Sequence, residues 1–368
     1  MKHETRNTRH KTQSIKHETR NMIKKALIEY LAQGFFIGLA CFIYFHQPFF
    51  VRLLQPQAKL VIWVLFLGYV ILGLPYFLIR NIFWKKFYLD DEGKSVLAAR
   101  FFLKTFPQKA GKILSTLPKP QNYLDFGIDD KTRAALLSII VKFFYVPIMM
   151  SFLFNHYINI LRAFRHIPTN LFSYTSIFSW WYNLVLDLLF SVDVGIFTFG
   201  YMFEAKYLNN VIRSVDPYLS GWVVALICYP PFNSAATSIL NYGGAGRNFL
   251  ALSPSIMAGM KIATLLFYII YVWATVALWT KSSNLTNRGI VASGPYKYIR
   301  HPAYLGKNMA WWLERVPYMT TVGAAISLLI WNCIYVARAL TEERHLLRDP
   351  DYQKYCRKVK YRFIPGLV

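Results

Sequence analysis

Long stretches almost free of charge recur along this chain, and their length is what most constrains the fold. Leu31 to Val51 and Leu60 to Ile79 are each about 20 residues long, which at about 1.5 Å per residue matches a bilayer core. Further apolar blocks run from Phe143 to Leu161, Ile177 to Phe203, Leu219 to Ala236, Ile262 to Thr280 and Leu305 to Leu340. The last is broken near Glu314-Arg315-Val316-Pro317 and so reads as a helical hairpin. The expected fold is all-α: a polytopic transmembrane helical bundle of seven or eight spans with a C-terminal helical hairpin. Only 16% of the residues are charged, against about 25% in an ordinary soluble domain, which fits that reading.

The net charge of +24 would first suggest nucleic acid, but the basic residues sit in segments beside the spans. Lys2, Arg6, Arg9, Lys11, Lys16, Arg20, Lys24 and Lys25 precede the first block. Arg80, Lys85, Lys86, Lys94, Arg100, Lys104, Lys109, Lys112 and Lys119 follow the second. The positive-inside bias places both segments in the cytoplasm, where they favour anionic lipid headgroups. The expected environment is a bilayer, a bacterial inner membrane, with no nucleic-acid partner. Cys41, Cys228, Cys333 and Cys356 are scattered, so no metal or redox motif is expected. No cleavable leader is expected, because the first apolar block is long enough to span.

Three regions follow: a basic cytoplasmic tail (1–30), an N-terminal membrane region of unassigned role (31–255, including a cytoplasmic loop 80–134), and a C-terminal membrane region (256–368). The tail repeats Lys2-His3-Glu4-Thr5-Arg6-Asn7 as Lys16-His17-Glu18-Thr19-Arg20-Asn21. In the loop, Asp90, Asp91 and Glu92 mark a turn, Pro107, Pro118 and Pro120 punctuate the far half, and short surface helices are expected. Six crossings from a cytoplasmic N-terminus bring the chain back inside at about Lys281. The hairpin then returns Glu342 and Glu343 to the same face, although Arg162, Arg165 and His166 would lie outside.

Within the spans, Asp187 and Asp193 invite a functional reading because carboxylates at membrane depth are costly; a structural role is favoured, with Asp187 paired to a Trp180, Trp181 or Tyr182 donor or to another helix, and Asp193 projecting to a different face. His46 and His156 read as interfacial. Tyr242-Gly243-Gly244-Ala245-Gly246-Arg247 lacks the strand and spacing of a phosphate cradle and reads as an extramembrane turn. Asn284-Leu285-Thr286 is formally a glycosylation acceptor but lies on the expected cytoplasmic side.

The chemistry concentrates between and just after the last spans. Gly294-Pro295-Tyr296-Lys297-Tyr298-Ile299-Arg300-His301-Pro302-Ala303-Tyr304-Leu305-Gly306 precedes the hairpin and Thr341-Glu342-Glu343-Arg344-His345 closes it. Arg300 offers a fork suited to a carboxylate. Pro302 restricts the backbone of His301 and so aims its ring. Tyr296, Tyr298 and Tyr304 supply aromatic walls, and Glu342 and Glu343 supply acceptors for hydroxyls or an ammonium. Together they suit a zwitterionic, purine-bearing ligand carrying a cation. Singly, each residue is an ordinary interface anchor; as a spaced set ending a hairpin they mark a site.

Gly294-Pro295-Tyr296, Arg300-His301-Pro302-x-Tyr304-x-Gly306 and Glu342-Glu343 resemble the isoprenylcysteine carboxyl methyltransferase and phospholipid methyltransferase superfamily, over roughly residues 260–368. The resemblance implies an integral-membrane enzyme using S-adenosylmethionine. Its cofactor pocket would comprise Pro295, Tyr296, Tyr298, Arg300, His301, Pro302, Tyr304, Glu342, Glu343 and Tyr355, with Arg300, His301 and Glu343 catalytic. Tyr352, Tyr355 and Arg357 would help cover it. Lys307 and Asn308 depart from the pattern, standing where apolar residues are commoner. The segment from Tyr355 to Gly366 is instead similar to the C-terminus of membrane sterol reductases, which bind NADPH, but those prefer Asn at Ala303 and Asp at Lys307.

The leading expectation is therefore an S-adenosylmethionine-dependent methyltransferase acting on a lipid or lipidated small-molecule or peptide acceptor, a carboxylate or an amine. The cofactor would come from the cytoplasm and the acceptor from the bilayer. The alternatives are an NADPH-dependent membrane reductase of the same fold and a non-enzymatic transporter or lipid-binding protein in which Asp187 and Asp193 matter most.

Overall fold

A computed structural model describes residues 2–83, 92–108, 124, 127–240 and 252–367, with the side chains of 2–15 and Thr175 left undescribed. The Tyr242–Arg247 turn and Asp90, Asp91, Pro118 and Pro120 lie outside the described residues. The chain forms two compact units, residues 1–115 with 126–140, and residues 116–125 with 141–368.

In the first unit, α1 (Lys2–His46) and α3 (Pro56–Phe83) are joined through the short α2 (Pro48–Leu53) and run antiparallel. Tyr30 and Tyr69 stack with ring centroids 5.5 Å apart, and each phenol donates to the other helix, to Val70 O at 3.0 Å and Tyr30 O at 2.7 Å. Near one end the buried Arg80 pairs with Glu29 and Asn81. Large apolar side chains face outward instead of inward: Leu60, Val64, Ile71, Leu72 and Phe35 are all exposed. Lipid, not water, is the solvent those faces suit. Within the 80–134 segment a short helix, α4 (Lys94–Arg100), is continued by a wider π-type turn at Phe101–Thr105. Ala98 and Phe101 pack with Leu136 and Phe36.

In the second unit, α5 (Asp130–Arg165), which begins in the first, packs antiparallel to α6 (Tyr182–Met202). Lys142 pairs with Glu204 at 2.6 Å, Tyr145 stacks on Tyr201 at 5.0 Å, and His156 Nδ1 meets Asp187 at 2.8 Å. α6 and α9 (Pro254–Leu278) run parallel, because Tyr174 bonds Pro254 O at one end while Gly200 lies against the Ser282 carbonyl at the other. The chain between them must therefore return along the bundle. It does so in part through two short helices, α7 (Leu219–Leu226) and α8 (Phe232–Ile239), broken at the Cys228–Pro231 turn. Two-residue strands β1 (Ser214–Val215) and β2 (Thr286–Asn287) pair antiparallel.

The hairpin is present: α10 (Pro302–Arg315), a 3-10 turn at Val316–Tyr318, and α11 (Val322–Leu346), followed by α12 (Pro350–Lys358). Its break falls where Glu314–Pro317 placed it. Gly306 lets α10 approach α9, since a Cβ there would stand 2.7 Å from Phe267 O.

Six helices among the described residues are long and apolar enough to cross a membrane, as an integral membrane protein requires. The expected seven or eight are not all reproduced. The block 219–236 splits into helices of 8 residues each, and α10 has only 14 residues, about 21 Å of rise against a core of about 30 Å. Average hydropathy counted these blocks as spans because it does not register a break.

Candidate functional site at the hairpin ends

Pro302 opens α10, where its missing N–H costs nothing, and His301 precedes it with a non-helical backbone. The two residues before the helix are held by the C-terminal segment: Arg300 N–H donates to Tyr361 O and His301 N–H to Arg362 O, both at 2.9 Å. This short backbone pairing brings residues sixty positions apart together. It delivers the Arg300 and His301 side chains to the end of α11.

There Glu343, 2% exposed, collects three cationic or ring donors. Arg300 Nη1 lies 3.0 Å from Oε1, His301 Nε2 3.1 Å from the same oxygen, and Arg362 Nε 2.9 Å from Oε2. A carboxylate only accepts, so the His301 Nε2–H donates and Nδ1 is left as that ring's acceptor. Tyr304 and Phe363 flank the imidazole at 5.4 and 5.5 Å. The neighbouring Glu342 is exposed and accepts from Tyr304 Oη at 2.7 Å. Glu342 is thus the open carboxylate of the pair, and Glu343 the buried one.

Around this centre, Tyr352, Tyr355 and Val359 of α12 pack with Tyr296 and Ile290, and Tyr355 Oη donates to Tyr296 O at 2.8 Å. Burial pushes the phenols of Tyr296, Tyr352 and Tyr355 up, so they act as neutral donors. Pro295 is buried beneath them, while Arg357 is exposed. Gly294, at φ +60°, makes the turn into this segment, where a side chain would press on Ala277.

The expected residues Arg300, His301, Pro302, Tyr304, Glu342 and Glu343 are brought together, with Pro295, Tyr296 and Tyr355 beside them. Tyr298 is not drawn in; it is 67% exposed. Three participants were not anticipated. Arg362 binds Glu343. The buried Arg338 pairs with Asn284 and lies over the rings of Tyr229, Tyr304 and Tyr335 at 5.5 to 5.8 Å. Asn284 also donates to Tyr229 Oη at 3.1 Å, and its N–H to Tyr201 Oη at 2.6 Å; it is 7% exposed, a packed polar junction. The available signal was an arginine inside an apolar block, a default functional candidate.

A second layer holds α11 in place. His345 Nε2 meets Ser214 Oγ at 2.9 Å, and Asn287 donates to Asp349 at 2.7 Å. Burial acts to raise the Asp349 carboxyl, but the Asn287 amide, the Asp351 N–H and Arg213 hold it below the usual range. Asp216 is buried beside the start of α7 and accepts the Tyr218 N–H at 2.9 Å. Burial pushes its carboxyl up to about 6 despite that bond and Arg344.

The fold and this cluster define an integral membrane protein with a charged and aromatic site at the ends of its C-terminal helical hairpin. Residues 257–348 match the isoprenylcysteine carboxyl methyltransferase (ICMT) family model, and this region is ICMT-like. The closing segment, which supplies Arg362, Tyr352 and Tyr355, lies beyond the match. No curated protein and no solved structure matches the chain.

Asp187 and Asp193, the residues of the transporter alternative, are both engaged within the bundle. Asp187 pairs with His156 and Asn159, and Asp193 accepts from Tyr271 Oη and Thr275 Oγ1, each at 2.6 Å.

Proposed function

We propose that the protein is an S-adenosylmethionine-dependent methyltransferase acting on a lipid-borne acceptor, with the hairpin ends as its active site. The observation that carries the reading is the Glu343-centred cluster of Arg300, His301 and Arg362 on an ICMT-like hairpin. The residues fit the cofactor's chemistry. Arg300 Nε and Tyr352 Oη are buried without a hydrogen-bond partner, and such orphans call for a ligand or water. Glu342 keeps a free oxygen suited to hydroxyls or an ammonium, and the rings of Tyr304, Tyr296 and Phe363 suit a purine or a sulfonium.

When bound, S-adenosylmethionine supplies an electrophilic methyl group on a positively charged sulfur. Glu343 has its oxygens occupied, so its work is positioning: it fixes the Arg300 and His301 side chains. Arg300, held on one side by Glu343 and by Lys360 O at 2.9 Å, grips a carboxylate with its remaining donors. A carboxylate acceptor arrives ionised and needs no base, leaving orientation and water exclusion as the protein's contribution. An amine acceptor must lose a proton, and Glu342 or His301 Nδ1 is placed to take it. On this reading the cofactor reaches the hairpin ends from the cytoplasm and the acceptor from the bilayer.

The test is thermal unfolding of the purified full chain in detergent with S-adenosylhomocysteine, S-adenosylmethionine or NADPH. The first two are expected to stabilise it, by about 2.7 kcal/mol at a hundred times Kd, and Tyr352→Phe with Glu342→Gln to weaken the response. Stabilisation by NADPH alone would replace this reading with the reductase one, and a response to neither would remove both.

A further inference from the structure

Lys307 stands out among the cations of the second unit. It lies on α10 one turn beyond Tyr304 and points between three helices. Its ammonium faces Tyr271 of α9 at 5.2 Å, Trp311 of α10 at 5.3 Å and Tyr335 of α11 at 5.7 Å. Among the described residues it has no hydrogen-bond acceptor and no carboxylate at ion-pair distance; its nearest charge partner is Asp193, which acts on it only through space. The nearby acid, Asp193, has both oxygens taken by Tyr271 and Thr275. Arg338 approaches the same Tyr335 ring, also without an acid partner; its fork is spent on Asn284.

Two positive charges therefore share one ring in the apolar part of the hairpin, and the acid within Coulombic reach of Lys307, Asp193, is bonded to Tyr271 and Thr275 and leaves positive charge in surplus. Leaving such charges bare at membrane depth is costly, and aromatic faces offset only part of that cost. Both lie further into the hairpin than the His301–Glu343 cluster, Lys307 along α10 and Arg338 along α11. The Lys307 position, near the start of an apolar block, would ordinarily carry an apolar residue.

We propose that Lys307, supported by Arg338, is the acceptor-recognition site, and that it binds an oxyanion on the polar end of a membrane lipid. The chemistry is shared by a phosphate ester and a carboxylate. An ammonium is a point charge with three donors and accepts either, whereas the aromatic walls exclude water and admit the adjoining methylenes. Identifying the bound lipid as the methyl acceptor rests on the methyltransferase reading; the oxyanion site itself does not.

The experiment titrates the full chain, in an uncharged maltoside detergent, with decyl phosphate, decanoate and decyltrimethylammonium, reading the thermal unfolding midpoint. Lys307→Met keeps the length and the packing and removes the charge. It is expected to weaken binding of an anionic amphiphile by about 30-fold or more, the scale for removing one partner of a desolvated charge pair. Lys307→Arg is expected to retain most of the binding, and S-adenosylhomocysteine to stabilise both variants as it does the parent. A larger Lys307 dependence for decyl phosphate assigns a phosphate-bearing lipid, and a larger one for decanoate assigns a carboxylate. Both uphold the site. Equal titration of the Met variant and the parent would overturn it, as would equally tight binding of the cationic amphiphile. Should the Met variant not fold, Lys307→Gln against Lys307→Arg gives the same discrimination. Loss of the S-adenosylhomocysteine response in every form, with Lys307-dependent binding intact, would refute the methyltransferase reading and leave the oxyanion site standing.

Discussion

The two antiparallel hairpins of this chain, α1–α3 and α10–α11, meet the membrane with the same kind of outward apolar face but close on different interiors. The first is sealed by aromatic stacking and by one self-contained polar group, Glu29 with Arg80 and Asn81. The second holds Glu343 under three donors, and Arg338 and Lys307 without a hydrogen-bonded acid. A hairpin that only spans balances its buried charges within itself. One that binds leaves a surplus, which a ligand completes.

The sharpest way to break this contrast is to remove the two buried acids. Glu343→Ala leaves Arg300, His301 and Arg362 without their common partner and is expected to cost about 3–5 kcal/mol, the range for stripping a buried ion pair. Glu29→Ala leaves one cation and should cost less. Dodecyl sulfate titration of the purified variants measures both; a larger loss for Glu29→Ala would sink the comparison.

Helix approach separates the hairpins next. Gly306→Ala drives a methyl toward Phe267 O and is expected to destabilise by about 1–3 kcal/mol. In α3, a Cβ on Gly68 meets nothing within 4 Å, so Gly68→Ala should be neutral or stabilising by up to about 1 kcal/mol through helix propensity. The same titration orders them.

Two aspartates at helix starts give opposite pH signatures. Asp216 has its carboxyl raised from an ordinary 3.8 to about 6. Its stabilisation is complete below pH 3.8 and lost as pH rises through 6; over that window the second unit should weaken by about 3 kcal/mol, and Asp216→Asn should flatten the profile. Asp129 in the first unit is exposed and held low by the Thr132 hydroxyl and backbone N–H groups. Its contribution is present at neutral pH and lost as pH falls through its lowered value. Unfolding midpoints measured from about pH 2 to 7 distinguish the two.

The smallest effect refines the site itself. Tyr304→Phe removes the bond to Glu342 while keeping the ring against His301, and should cost about 1 kcal/mol in stability. If the cofactor uses Glu342, its affinity should change as well, readable by S-adenosylhomocysteine titration.

Much of the architecture was legible because a bilayer imposes length and hydropathy on each helix separately. The hairpin break at Glu314–Pro317 and the meeting of the Arg300-His301-Pro302 segment with the acidic pair followed from helix order alone. The broken return through α7 and α8 was not legible, since a short apolar helix and half a span have the same composition. Lys307 was visible only as a departure from a pattern, and Asn284 only as a formal glycosylation acceptor, because neither has a local partner in sequence.

What the amino-acid order determined by itself is the set of apolar helices and the clustering of Arg, His, Tyr and Glu at the hairpin ends. Which of two adjacent glutamates is buried, and which cations face the interior without an acid, only the tertiary structure decided. The physical reason is that hydropathy describes a segment's average solvent, whereas the cost of a charge depends on the atoms packed against it. Those atoms come from helices far apart along the chain.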